Sequence, residues 1–315
     1  MNVLFQCRSR ALAASISFLV IVLPLRVAFS APPNSSKGDK QNSATGAPTG
    51  KPDQKSEAKT AKLKIVLIGA KIDNHPYASH MYLQECRLLA TCLNQTPKVE
   101  TVVVQDWPDA KTLAGARALV FYSRPAGDVV LDPKNKAAFQ KLMADGVGYT
   151  AIHWATGAEK KFGNEYLDVL GAWFHPSHCS QAIETQNLDR IDSKHEICRG
   201  WDSYKLRDEF YSNLKFHARA KPLLRVTLTS PKIAFKQQVV AWTFERPDGS
   251  GGRSFGTTLG HFHENFGITA FRKLLVNGIL WTAHVEVPAD GAAVAVNSRD
   301  LELPPPISAG TAKKK

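Results

Sequence analysis

Ser254-Phe255-Gly256-Thr257-Thr258-Leu259-Gly260-His261-Phe262-His263 is a strand-like run, a glycine and then two histidines. An α/β enzyme places imidazoles at the C-terminal rim of its sheet in this way, and ligands bind at that rim. The pattern recurs twice. Residues 63–68 read as a strand, with His75 and His80 in the stretch after it. Residues 147–152 read as another, with His153 immediately behind. Three strand ends carrying histidines predict one shared site, with His75, His153 and His261 within about 10 Å of one another, roughly two strand spacings.

The order of elements fixes the class of fold. Lys64-Ile65-Val66-Leu67-Ile68 is continuously apolar, as a strand buried on both faces requires. Tyr82, Leu83, Cys86, Leu89, Ala90 and Leu93 mark one face of a helix. Strands are expected at 99–104 and 117–122, and a helix at 133–145 with Asp132 as N-cap and Pro133 at its first position. Such β-α alternation predicts an α/β, doubly wound, mostly parallel sheet. Residues 163–216 are looser. Strands are read at 223–228, 239–244 and 254–259, the last two joined by Pro247-Asp248-Gly249-Ser250-Gly251-Gly252 as an antiparallel hairpin. A helix at about 268–284 closes the domain.

The ends of the chain read differently. Arg8 and Arg10, the apolar stretch 11–25 and Ala28-Phe29-Ser30 make residues 1–30 a secretory signal peptide. Its apolar run is short for a membrane span, so no stable anchor is expected after cleavage. Residues 31–62 are rich in Lys, Ser, Gly and Pro and read as a disordered linker. Residues 63–288 form the domain, and 289–315 a C-terminal tail. The net charge of +12 is mostly in the signal peptide, the linker and the terminal lysines, which leaves about +3 for the rest. That balance, without a basic helix, argues against nucleic acid as a partner. Of the four cysteines beyond the signal peptide, Cys86 and Cys92 cannot bridge each other. Cys179 and Cys198 form either a disulfide or two thiols.

Several residues carry candidate chemistry. His75 and His80 are placed to contact a sugar, and His75, His153, His261 and His263 to ligate a divalent metal. The alternative for His80 is that it merely starts a helix capped by Ser79, and for His153 that it is a buried core histidine. Ala151-Ile152-His153-Trp154-Ala155-Thr156-Gly157 resembles the strand-to-helix elbow of glutamine amidotransferases, but no Ser or Cys stands at its tip. Trp154, Tyr211, and His175 in Trp173-Phe174-His175-Pro176 suit the apolar faces and hydroxyl edges of a sugar. The Trp173 segment, with His178, could equally be a small loop core. Asp208 or Glu209 is placed to act as a general base or to orient a histidine, or else pairs with Arg207 or Arg219. His195 and His217 read as solvated or structural.

These motifs carry a family resemblance. Asp73-Asn74-His75-Pro76 with His80-Met81-Tyr82, residues 151–157, 170–176, 240–246 and 252–263, and Asp208-Glu209-Phe210-Tyr211 are similar to the ThuA-like (trehalose-utilisation) family over about residues 64–285. The resemblance implies a flavodoxin-like, class I glutamine amidotransferase-like fold and a role in disaccharide or keto-sugar catabolism, without the amidotransferase triad. The expected function is an exported sugar-processing enzyme, periplasmic or extracellular, using His153, His261, Asp208 or Glu209 in acid-base or metal-assisted chemistry. The alternative is a non-catalytic sugar-binding or scaffold protein. Homo-oligomerisation is left open.

N-terminal sequencing of exported protein should begin near Ala31, and amides before residue 62 should exchange freely. A chain beginning at Met1, or strong protection at 51–59, would contradict the processing scheme.

Overall fold

The computed structural model describes residues 62–306. The signal peptide and most of the linker lie outside the described residues, as does the end of the tail. The first half runs β1 (Leu63–Gly69), α1 (Tyr82–Leu93), β2 (Val99–Gln105), α2 (Ala110–Leu113), β3 (Ala116–Tyr122), α3 (Ala126–Val130), α4 (Pro133–Ala144) and β4 (Gly148–Ile152). The middle holds α5 (Gly163–Leu170), β5 (Ala172–Trp173), β6 (Ser180–Asn187), β7 (Asp189–Arg190), β8 (Lys205–Ser212) and β9 (Lys215–Phe216). The last part is β10 (Lys221–Thr227), β11 (Gln237–Glu245), β12 (Arg253–Thr257), α6 (His263–Phe266) and α7 (Thr269–Thr282).

The main sheet has the order β2-β1-β3-β4-β12-β11-β10-β7. Pairing is parallel from β2 through β12 and antiparallel beyond it. The expected hairpin is present, and its second strand inserts beside β4, with Ser254 opposite Tyr149 and Thr257 opposite Ile152. That register brings the ends of β4 and β12 to the same rim. Helices α1 and α7 cover one face through Leu89, Leu93, Leu274 and Ile279. Phe139, Tyr166, Leu170 and Trp242 fill the other. Every residue of β4 is buried, as central parallel strands demand.

Two expectations change. The middle segment is not simply loose: β6 and β8 form an antiparallel ribbon over eight residue pairs. Polar alternation on an exposed ribbon gave no continuous apolar run to detect. The chain after Pro288 also packs rather than trailing away. Ala292 and Val294 are buried in the core. Asn277 accepts from the Ala292 N–H at 2.9 Å, and Arg272 donates to the Val294 carbonyl at 3.0 Å. Gln95 exchanges two hydrogen bonds with Ala295. The four described cysteines are all free thiols, so the Cys179–Cys198 bridge is not formed.

Ending the chain after Pro288 should therefore lower stability by about 2–4 kcal/mol, from lost apolar burial and orphaned partners. Urea unfolding of the truncated and full chains checks this.

Candidate metal centre

Four side chains from four separate segments meet at the rim. His80 ends the loop between β1 and α1, His153 follows β4, His261 follows β12 by a short turn, and Glu209 lies on β8. His80 Nε2 is 3.0 Å from His153 Nε2 and 2.9 Å from His261 Nδ1. His153 Nε2 and His261 Nδ1 are 3.2 Å apart. Glu209 Oε2 stands 3.3 Å from His261 Nδ1 and 3.6 Å from His153 Nε2. All four ligand atoms fall within 4.8 Å of one another.

The outer edges of the rings show why the inner nitrogens are bare. His153 Nδ1 lies 2.7 Å from the Thr258 carbonyl, which can only accept, so the proton is on Nδ1. Tyr82 donates its hydroxyl to Asp73 Oδ2 at 2.8 Å. Its oxygen then accepts from His80 Nδ1, 2.7 Å away. Both Nε2 atoms therefore present lone pairs to the centre. Burial first, then the adjacent His75 and His261 rings, push the His80 imidazole down to about 2. Burial and His80 hold His153 well below its ordinary value. Neutral imidazoles are the form that binds metal. Burial pushes the Glu209 carboxyl up, but His261 and His153 outweigh it and keep the group below its usual range.

The backbone is held in uncommon conformations to achieve this. His80 has φ 53° and His153 φ 57°, both left-handed for non-glycine residues. Such strain persists only where the surroundings over-determine it. Gly260, at φ 113°, makes the turn that delivers His261. Its carbonyl accepts from Tyr122 at 2.5 Å. Asp208 is fully buried and holds the same turn from the other side. It accepts the N–H groups of Gly260 at 2.7 Å, and of His261 and Glu209 at 2.9 Å. Burial pushes the Asp208 carboxyl up to about 6 despite these donors. Asp208 thus positions ligands and does not reach the centre itself.

The family model described as trehalose utilisation, ThuA, matches residues 77–282. The chain belongs to the ThuA family. A ThuA-like protein from Parabacteroides merdae superposes with a TM-score of 0.54 at 16% identity, over 77% of this chain and 100% of that one. Another from Bacteroides uniformis gives 0.52 at 18% identity, over 75% and 95%. A cytoplasmic protein from Salmonella typhimurium gives 0.51 at 13% identity, over 70% and 99%. These identities speak for the fold alone. No curated protein matches the chain. The large, mostly parallel central sheet is the α/β architecture expected, and the ThuA-like neighbours share the fold. In this ThuA chain the elbow after β4 holds His153.

Of the sequence candidates, His75, Trp154 and Tyr211 line the mouth beside the tetrad. His75 stacks on His80 with ring centroids 3.6 Å apart and lies 6.1 Å from His261. The Tyr211 hydroxyl is 3.2 Å from His153 Nε2. A cavity of about 110 Å³ is lined by His75, His80, Trp154, Phe174, Glu209 and Tyr211, among others. A second, of about 360 Å³, shares His75 and Trp154 and reaches Arg124. Larger clefts elsewhere on the described surface carry no cluster of ligating groups.

His263 and His175 require correction. His263 was expected to ligate beside His261, but both its ring nitrogens are engaged elsewhere. Nδ1 pairs with the buried carboxylate of Glu85, and Nε2 lies 2.7 Å from the Leu301 carbonyl. The segment has already left β12, and His263 begins α6, so strand alternation does not place it with His261. His175 bonds locally with Ser177 and tilts against Trp173, outside the cavity. His80, expected to touch substrate, lines the small cavity and also stands in the tetrad. Asp73 and Tyr82 were missed, although Asp73-x-His75 is a spacing at which a carboxylate reaches a neighbouring ring.

Replacing Asp208 by Asn leaves one acceptor oxygen for three N–H donors and turns an amide N–H₂ toward one of them. The D208N protein should lose about 2–3 kcal/mol and bind metal more weakly. Denaturant melts and metal titration read the two effects.

Proposed function

We propose that this protein is an exported, metal-assisted sugar-processing enzyme that acts on a carbonyl-bearing sugar such as a keto-disaccharide. The observation that carries the reading is the convergence of three imidazole nitrogens and one carboxylate oxygen, with the ring protons of His80 and His153 committed to acceptors on their far sides. A tetrahedral ion with bonds of about 2.0–2.2 Å has edges near 3.4 Å, close to the separations seen here. Imidazole and carboxylate together suit a first-row divalent cation. His80, His153, His261 and Glu209 would hold it. When bound it would polarise a carbonyl oxygen and acidify the neighbouring C–H.

The surrounding residues supply the rest. Trp154, Phe174 and Tyr211 offer apolar faces to a sugar ring, while His75, Gln181 and Arg124 offer polar edges. The small inner cavity admits the reacting end, and the outer cleft accommodates the remainder of the sugar. His75 is one-third exposed beside the buried ligands, so it can exchange a proton with a bound sugar. The acid-base role passes from His153 and His261 to His75, because the inner nitrogens face the ion. The family's description supports the sugar class. Export rests on the reading of residues 1–30. No helix among the described residues is long and apolar enough to cross a membrane.

Chelator-stripped protein should take up one Zn²⁺ or Mn²⁺ per chain, and H153A and H261A should bind at least tenfold more weakly. Loaded protein should catalyse deuterium exchange beside the carbonyl of a keto-glucoside in D₂O, read by NMR. Sugar binding with no exchange, in protein that takes up no ion, would leave a binding protein and end the enzyme reading.

A further inference from the structure

Asp73 lies outside the tetrad, and the metal reading assigns it nothing. Its carboxylate nevertheless joins the inside of the centre to its mouth. Oδ2 accepts the Tyr82 hydroxyl at 2.8 Å, and Tyr82 in turn accepts from His80 Nδ1 at 2.7 Å. Oδ1 lies 2.5 Å from His75 Nδ1 and accepts the His75 backbone N–H at 3.1 Å. The carboxylate is almost wholly buried, at 7% side-chain exposure. His75 at the mouth is 33% exposed.

We infer that Asp73 is a second positioning residue of this site beside Asp208, a single acceptor that dictates the tautomers of two histidines, His80 inside and His75 at the mouth. The inference rests on the metal reading for its consequence and on hydrogen-bond polarity for its cause.

An ionised carboxylate has no proton to give, so every group around it must donate. Tyr82 has one proton, and Asp73 takes it. The phenol oxygen then offers only lone pairs to His80, which must hold its proton on Nδ1. Nε2 is left bare, 2.9 and 3.0 Å from its fellow ligands. The same logic runs outward. His75 donates through Nδ1 to Oδ1, so its Nε2 carries a lone pair. That nitrogen is the acceptor available to a donor hydroxyl or acidified C–H of a bound sugar. Reversing the polarity at Asp73 would allow His80 to place a proton on Nε2, inside the tetrad, where it competes with a cation. Groups that orient a ligating histidine through its far nitrogen typically change metal affinity by 10–100-fold. The neighbouring charge does not substitute for this: Arg124 reaches Asp73 only at 3.9 Å and is more than half exposed.

Two variants separate the arms. Asp73→Asn replaces an acceptor-only group with one that also donates, and acts on both histidines. Tyr82→Phe removes the inner link alone and keeps the ring packed 5.2 Å from Tyr122. In chelator-stripped protein, ¹⁵N–¹H long-range correlation of the histidine rings should show His80 as the Nδ1–H form in the wild type. In D73N the His80 signal should shift toward Nε2–H or a mixture, and in Y82F likewise. His75 should change in D73N and stay unchanged in Y82F. Zn²⁺ affinity, measured by chelator competition, should fall at least tenfold in both variants, with circular dichroism unchanged. A wild-type His80 carrying its proton on Nε2 overturns the inference, as do both variants keeping the wild-type tautomer and affinity. The ring spectra need no metal. A protein that binds no Zn²⁺ would therefore refute the metal reading, while the His80 tautomer still decides the role of Asp73.

Discussion

His80 Nε2 and His153 Nε2 face each other at 3.0 Å with no proton to share. Each ring has committed its proton on the far side, one to a backbone carbonyl and the other to a tyrosine that has committed its own. Two lone pairs at that distance repel. In a buried site there is no solvent to screen them. The contact survives because neither ring can turn away without breaking a buried hydrogen bond, and because both residues are fixed in left-handed backbone conformations. A cation at the proposed centre would relieve that repulsion.

The sheet supplies the rigidity. β4 and β12 are adjacent and parallel, so His153 and the turn to His261 leave from one rim. Asp208 and Tyr122 clamp Gly260 from two sides, which fixes where His261 can stand. Glu209 comes from the β6–β8 ribbon, and its neighbour Asp208 ties that ribbon to the same turn. The fourth ligand and the positioning of the third are thus one structural event. A change in the ribbon would reach the tetrad through both Glu209 and His261.

Much of this was legible in the chain. The parallel order was visible because strands alternate with helices through the first half, and the buried stretch of β1, Ile65 to Ile68, reads as an unbroken apolar run. Convergence of His75, His153 and His261 followed from topology alone, since parallel strands end at one rim. The assignments that failed depended on local backbone direction. His263 looks like a partner of His261 at two-residue spacing, but the strand has ended and a helical turn begins at His263, with Glu85 waiting on α1. The β6–β8 ribbon was missed because its exposed polar face resembles a loop. Tyr82 was read correctly as an apolar helix face, yet its hydroxyl is a link in the network. Pattern analysis sees the ring and not the direction of one hydroxyl.

The charge of the ligand set bears on what it can do. Three neutral imidazoles and one carboxylate around a divalent cation would leave one net positive charge beside a small cavity. A set with two carboxylates would leave none. Residual positive charge favours an oxygen on which negative charge develops, as on a carbonyl losing a neighbouring proton. Tyr211 reinforces this: burial first, and then Glu209, raise its hydroxyl well above the usual phenol value, so it stays protonated beside the centre as a donor. The aromatic walls of Trp154 and Phe174 displace water that would otherwise screen these charges. A site built only to bind the neutral hydroxyls of a sugar would gain nothing from burying the His80 and His153 nitrogens face to face. The stabilisation of a developing oxyanion, as the proposed reaction requires, would use that arrangement.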